Sequence, residues 1–505
     1  MRLLPPVTTP QSAVPILTPL SDAQLAKNAP LPLTPQTPYS QLNDEAINDS
    51  GQPDTSTRTR YPTVTDAPLS KFQSDALAVE LNALYKSVMD SLGSEDARYI
   101  QRIYATVVYS EIIARGLLAA AGRMPSKRSL VATWLLGTSL LSFSKILNNM
   151  ELGHNVMHGQ YDWMQHPHLN SQKFDWDIVC PAPLWQHSHN YLHHTFTNIV
   201  GRDHDVGYHL IRVTDEQPWT PEDRYNMFST AVLAFGFEWA VAFHDIQISA
   251  DEYADSPDLH KIMQQKSRAL FAKIGRQIGK DYIALPSVVA LTLGRCSAFS
   301  TLSGNMTANT VRNLWTWAVI FCGHFTEQAH IYIHLDANES KGDWYVRQIL
   351  GSSNIKGSKW FHLLTGNLSH QIEHHIFPDM PAAHYAKIAP QVQAICRKYG
   401  LSYNTGRFGT QLKQVLGRIY HFSKPSEKEW QAYVQSVENA DNTTLKDDRS
   451  AANLENKLED KLAIENTSGF TRFLPPVVRK AISYACGDIF RFATRYGHDK
   501  VGQQT

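Results

Sequence analysis

The chain has 505 residues with 47 basic and 47 acidic side chains, a balance that offers no bulk charge for binding nucleic acid. Its five cysteines, Cys180, Cys296, Cys322, Cys396 and Cys486, are odd in number, far apart and without CxxC spacing. They support neither a disulfide framework nor a thiolate zinc site, and they suit a reducing compartment.

Residues 1–70 are dense in Pro, Thr, Ser, Gln and Asp, which predicts a disordered arm. The start lacks a basic region followed by an uninterrupted apolar run, so no signal peptide is read there. Residues 71–425 form the main unit, and 426–505 read as a charged linker followed by a basic, amphipathic C-terminal helix of the kind that lies in a membrane interface.

Within the main unit, four stretches approach the roughly 17–25 residues that a helix needs to cross a bilayer. Residues 101–121 and 129–149 pair as one hairpin, and 282–300 and 306–326 as a second. A fifth apolar stretch, 227–243, carries Glu238 and runs into His244 and Asp245, so it is expected to lie along the membrane surface. The fold expected is an all-α integral membrane protein with about four transmembrane helices in two hairpins and a helical cap on the cytoplasmic side. If 227–243 does not cross, Lys261, Lys266, Arg268, Lys273, Arg276 and Lys280 share a side with most histidines, and the positive-inside tendency makes that side cytoplasmic. Arg123, Lys127 and Arg128 in the loop 122–128 pull the other way.

Histidine placement is the sharpest feature. Twenty of the 22 histidines lie between His154 and His384, many just beyond the ends of the expected membrane helices. "ELGHNVMHGQ" holds His154 and His158, "WQHSHNYLHHTFTN" holds His187, His189, His193 and His194, and "HQIEHH" holds His370, His374 and His375. Helical residues four apart share a face, so His154/His158 and His189/His193 can each turn two imidazoles to one metal. Neighbours in sequence point about 100° apart on a helix. His193/His194 and His374/His375 therefore suit two neighbouring metals. Seven paired histidines exceed the three or four ligands of a single zinc site, so a dinuclear centre is the economical reading. Imidazole ligation without thiolate suits iron, copper, nickel or zinc. Glu151, Asn190, Asp203, Asp205 and Glu373 are candidates to accept the second ring N–H, or are simply solvated at helix ends.

In order and placement these clusters resemble the three histidine boxes of the membrane fatty acid desaturase family: HxxxH or HxxxxH, then HxxHH or HxxxHH, then a last box. "QIEHHIFPDMP" resembles the branch whose last box opens on Gln, and "HNYLHHTFTNIVGRDHDVGY" and "NLWTWAVIFCGHF" are similar to its bacterial acyl desaturases. The resemblance covers roughly 100–400. It implies that His154, His158, His189, His193, His194, His374 and His375 hold two non-haem iron ions, joined by His324 as the isolated ligand at the end of the last membrane helix. It leaves Gln371 three roles: iron ligand, holder of a water, or orienter of the substrate. His370 departs from the pattern and is expected at the surface, and His187 beside the site or solvated. His166, His168, His204, His209, His330, His334 and His362 are read as solvated or core.

The activity implied is oxygen-dependent desaturation of a fatty acyl chain, carried on coenzyme A or in a phospholipid, with O2 as co-substrate. An unactivated methylene is not acidic, so the metal centre must supply the oxidising power while the protein holds the chain and excludes water. Trp134, Phe235, Trp239, Trp315 and Trp317 are candidates to line an acyl tunnel, against a plain packing role. The nearest string to the His-Pro-Gly-Gly of a fused cytochrome domain is "HPHL" at 166–169, which is no match. A separate donor, a ferredoxin with its reductase, is therefore expected, in a bacterial inner membrane with the site on the cytoplasmic side. Two rivals stand: a membrane di-iron hydroxylase or alkane monooxygenase, and a transporter or metal sensor. The latter is disfavoured because transport sites lie near the midplane, not at helix ends.

Overall fold

The computed structural model describes residues 63–64, 69–333 and 339–436. Most of the arm, the charged linker, the C-terminal amphipathic helix and His334 lie outside the described residues.

Helix α1 (Lys71–Met89) starts at a Ser70/Gln73 capping box and buries Leu77, Ala78, Leu81, Leu84 and Val88, a stripe at helical spacing. Helices α2 (Ser94–Ala121) and α3 (Lys127–Leu147) form the first expected hairpin, α3 entering through a Ser126/Ser129 capping box. The inner face of α2 buries Ile100, Ile103, Val107 and Leu118, while Tyr109, Ile112 and Ile113 stay exposed, as do Val131, Leu135 and Leu136 of α3. Apolar side chains on both faces fit a hairpin that meets protein on one side and lipid on the other. The chain does not stop at Leu147. It widens into a π segment, Asn148–His154, and closes with Asn155–Met157.

Helix α4 is likewise composite: Ala182–Trp185, a π segment Gln186–His193, then His194–Phe196. Instead of one stretch at 227–243 there are two helices, α5 (Asn226–Phe235) and α6 (Phe237–Glu252), which with the preceding turn bend by 102° at Gly236. Helix α7 (Leu259–Ile278) carries the basic segment.

The second hairpin departs from its expected bounds. After a π segment, Gly279–Ala284, helix α8 (Leu285–Leu293) ends at Gly294, whose φ of 89° only glycine adopts at low cost, and α9 runs from Arg295 to His324. The turn thus falls inside the expected helix 282–300, not between 300 and 306. Among the described residues, two helices, Ser94–Ala121 and Lys127–Met157, are long and apolar enough to cross a membrane, or three if the bent pair counts as one span.

Charges that interrupt these stretches are paired inside. Asp281 meets Arg115 of α2 at 2.8 Å and Lys145 of α3 at 2.9 Å, and Lys145 also meets Asp177 at 3.0 Å. Such pairing is what a charge at membrane depth requires.

The remaining helices are α10 (Lys341–Leu350), α11 (Lys359–Leu364), α12 (Gln371–Ile376), α13 (Tyr385–Lys398) and α14 (Phe408–Phe422). Ile349, Ile372, Ile376, Tyr385 and Ile388 join the buried face of α1 in one core, which fixes the six-residue α12 and its two histidines. Asn354–Lys356 and Thr405–Arg407 pair in parallel beneath it.

Candidate metal centre

The seven histidines singled out by spacing and His324, which the resemblance added, come together from four separate parts of the chain. One nitrogen from each of His154, His158, His189 and His374 lies within 4.8 Å of the others, and the same holds for His193, His324 and His375. His194 stands between the two groups, its ring centre 4.7 Å from His158, 4.8 Å from His374 and 4.5 Å from His375. His374 and His375 fall into different groups, as adjacent helical positions should. In α4 the wider i→i+5 turn brings His194 as well as His193 over His189, with both ring centres 5.0 Å away. A plain α-helix would have turned one of them aside.

Outer atoms fix the rings. His193 Nδ1 faces both carboxylate oxygens of Asp203, His375 Nδ1 lies 2.9 Å from Gln348 Oε1, and His154 Nδ1 lies 3.1 Å from Asn155 Oδ1. Asp205 sits 3.8 Å from both His189 and His193 and 3.7 Å from His244. The ring of Trp185 stacks on His189 at 4.4 Å. In the second group His375 Nε2 lies 3.1 Å from His324 Nε2, and around the first group several ring nitrogens are bare. The Nε2 atoms of His158, His189 and His374 and both nitrogens of His194 are buried without a hydrogen-bond partner. Leaving that many polar atoms dry and unpaired is costly, and metal ions shared among them would satisfy them. The donor set therefore fits two imidazole-bound cations.

Electrostatics agree. Burial, then the neighbouring imidazoles, holds His194, His374 and His375 well below the ordinary histidine value, in the neutral form that binds metal. Burial opposes charging of His193 too, but the Asp203 carboxylate outweighs it and raises that ring.

Gln371 belongs to the site. Its amide lies 2.9 Å from His324 Nε2, and its Oε1 is buried without a partner. His370 does not: its ring packs on His362 at 4.6 Å, away from both groups. It is nevertheless mostly buried, with 13% of its side chain exposed, because α11 folds over it; the expectation of a surface residue was wrong. His187 pairs with Glu252 at 2.7 Å. Among the acceptors expected, Asp203 and Asp205 reach the rings, and three do not. Glu151 accepts from Tyr99 and Asn367, Asn190 donates to Met157 O, and Glu373 accepts from Asn354 and Tyr403. Burial pushes the Glu373 carboxyl up to about 7. Sequence reading missed Gln348, Asn155 and His244. Gln348 and Asn155 carry no motif, and only the packing of α10 and the end of the α3 extension brings them to the rings.

A pocket of about 910 Å3, open mouth included, adjoins the histidines. It is walled by one face of α6 (Phe237, Val241, His244), one face of α9 (Thr316, Ile320, His324), and Met150, Trp176, Trp185 and Phe325. None of the five aromatic candidates lines it. Trp134 donates to Ser300 O, Phe235 is exposed, Trp239 lines a separate smaller cavity, Trp315 packs on Phe361, and Trp317 packs on Phe321. The aromatic wall comes instead from Trp176 and Trp185, which no apolar stretch marked, and from Phe237 and Phe325, which lie inside marked stretches but were not among the candidates.

Two buried groups of imidazole nitrogens beside a pocket, in a chain with two to three candidate membrane spans, define a candidate metal centre at a membrane. The family model for fatty acid desaturases matches residues 130–407, and the chain belongs to that family. It is 39% identical over 369 residues to an NADPH-dependent stearoyl-CoA 9-desaturase of Mycobacterium tuberculosis, covering 72% of this chain and 84% of that protein. It is also 24% identical to an sn-1 linoleoyl-lipid 6-desaturase of Synechocystis sp., covering 53% and 74% of the two chains, and 25% identical to one from Arthrospira platensis, covering 53% and 72%. The chain is a fatty acid desaturase.

Proposed function

We propose that the enzyme desaturates a saturated fatty acyl chain carried on coenzyme A, at two iron ions held by the eight histidines. The observation that carries this reading is the two groups of converging imidazole nitrogens beside the pocket, with the Nε2 atoms of His158, His189, His194 and His374 buried and without a partner. The 39% identity to a stearoyl-CoA 9-desaturase favours the coenzyme A thioester over a lipid ester.

His154, His158, His189 and His374 would hold one ion, His193, His324 and His375 the other, with His194 between them and Gln371 beside the second. When bound, the iron pair supplies the power to oxidise an unactivated C–H bond using O2. The balance is two hydrogens from the chain, with two electrons and two protons from a donor, reducing one O2 to two waters and leaving a double bond. The chain's own residues do the rest. Phe237, Val241 and Ile320 hold the acyl chain at fixed depth, Trp185 and Phe325 keep water from the rings, and Asp203 and Gln348 fix ring orientation.

Electrons come from a separate protein, a ferredoxin with its reductase; the mycobacterial relative's name, NADPH-dependent stearoyl-CoA 9-desaturase, fits a chain of carriers starting at NADPH. The protein sits in a bacterial inner membrane, α8 and α9 adding a second hairpin to α2 and α3, with the histidines on the cytoplasmic side. The stripe of exposed Tyr225, Phe228, Val232 and Phe235 on and before α5 supports a helix lying in the lipid surface.

The test is expression in a host of simple lipid profile, with product mapping by mass spectrometry. New olefin without added oxygen is expected. A hydroxylated product would transfer the enzyme to the hydroxylase class.

A further inference from the structure

Most of the pocket's surface is apolar, and the charges in its wall fall in two places: Asp203, Asp205, His244 and Asp245 on the histidine side, and Arg312 with Glu238 farther along α9 and α6. Arg312 and Glu238 both line it, and their side chains form an ion pair at 2.5 Å, 2% and 8% exposed. Backbone groups lock the pair: Arg312 Nη1 donates to Asp177 O at 3.1 Å, and Glu238 Oε2 accepts from Val179 N at 3.3 Å. Glu238 also lines the smaller cavity beyond, so its carboxylate forms the partition between two spaces, with Arg312 paired to it from the pocket side. On α9, Arg312 lies about 18 Å along the helix from His324, on the side away from the histidine end. An acyl thioester enters a membrane enzyme with its polar carrier at the surface and its methyl end at depth. The partition is thus where the methyl end arrives.

We infer that the Arg312–Glu238 ion pair is the end stop of the acyl pocket and sets the longest chain the enzyme accepts. A methyl group gains nothing against a charge pair and cannot push between two charges without leaving both unpaired in a dry site, which is strongly unfavourable. A longer chain must therefore buckle beside the irons or leave its carboxyl end short of the surface. The pair is a specificity determinant, not a participant in the chemistry. The inference rests on the acyl-desaturase reading.

The test compares palmitoyl-, stearoyl-, arachidoyl- and behenoyl-CoA as competing substrates in membranes containing the full-length enzyme and an added donor system. In the double variant Glu238→Gln/Arg312→Met, which removes both charges and leaves none unpaired, the ratio of arachidoyl to stearoyl product should rise roughly tenfold or more. Because the readout is a ratio within one sample, a smaller folded fraction does not imitate it. An unchanged ratio overturns the inference. If the double variant does not accumulate, Thr316→Leu adds bulk one turn nearer His324 and should raise the palmitoyl-to-stearoyl ratio; no change there means the chain never reaches the pair, and overturns it equally. Wild-type enzyme that desaturates none of the four would sink the functional reading itself, a result distinct from either ratio.

Discussion

His193 Nδ1 lies 3.0 Å from one carboxylate oxygen of Asp203 and 3.1 Å from the other, and each oxygen also accepts a backbone N–H, from Asn198 at 2.7 Å and Asp205 at 3.0 Å. The carboxylate thus ties a ring of the second histidine group to the turn that follows α4. In Asp203→Asn the amide nitrogen must face one of those N–H groups, so one contact is lost whichever way it turns. Iron affinity should fall by about 10–100-fold. Iron retained after dialysis against a graded chelator series measures it; wild-type retention would show that Asp203 serves only the turn.

His194 and His370 separate ligand from bystander within two otherwise similar boxes. His194→Ala removes the ring between the groups, and iron content should drop below one ion per chain with loss of activity. His370→Ala, whose ring packs on His362, should keep nearly all its iron. Metal analysis of both purified variants decides. The reverse result would exchange their roles.

Gly323 makes room for Gln371. A Cβ at position 323 would stand 2.9 Å from Gln371 Cδ, a flexible side chain that can yield without disturbing the helix. Gly323→Ala should therefore leave iron content and thermal stability near wild type while turning the amide away from His324. If Gln371 positions substrate or the second iron, turnover falls on the order of a hundredfold. Full activity would make Gln371 a packing residue.

Gly366 precedes the last box at φ 65°, and a Cβ there would fall 2.5 Å from the carbonyl carbon of Met150 in the α3 extension. Here backbone, not a side-chain tip, must move. Gly366→Ala is expected to cost about 1–3 kcal/mol of stability, read as a lowered unfolding temperature in detergent.

Glu151 holds the same junction from the other side. It is fully buried, accepting from Tyr99 at 2.7 Å and Asn367 at 2.9 Å. Glu151→Ala leaves both donors unpaired and should destabilise by roughly 1–3 kcal/mol for each. A melting curve unchanged from wild type would contradict this.

Seven of the histidines could be picked out of the sequence because metal ligation depends on residue type and local spacing, and both are one-dimensional; His324 and Gln371 came from the resemblance to the family's boxes. His374 and His375 part toward different groups simply because they are neighbours on a helix. The first hairpin was legible for a similar reason: apolar length and a capped turn are local. What only the tertiary structure decided is remote in sequence. The π segments at Asn148–His154 and Gln186–His193 set which rings meet, and no residue pattern announced them. Gln348 reaches His375 across 27 positions, and Arg312 reaches Glu238 across 74, through the packing of helices whose polar residues look like interruptions when read alone. The same limit misplaced the pocket wall. The five large aromatic residues chosen from apolar stretches went to packing or to the surface, while Trp176 and Trp185, outside every such stretch, line the pocket, because side-chain direction is set by the fold and not by composition.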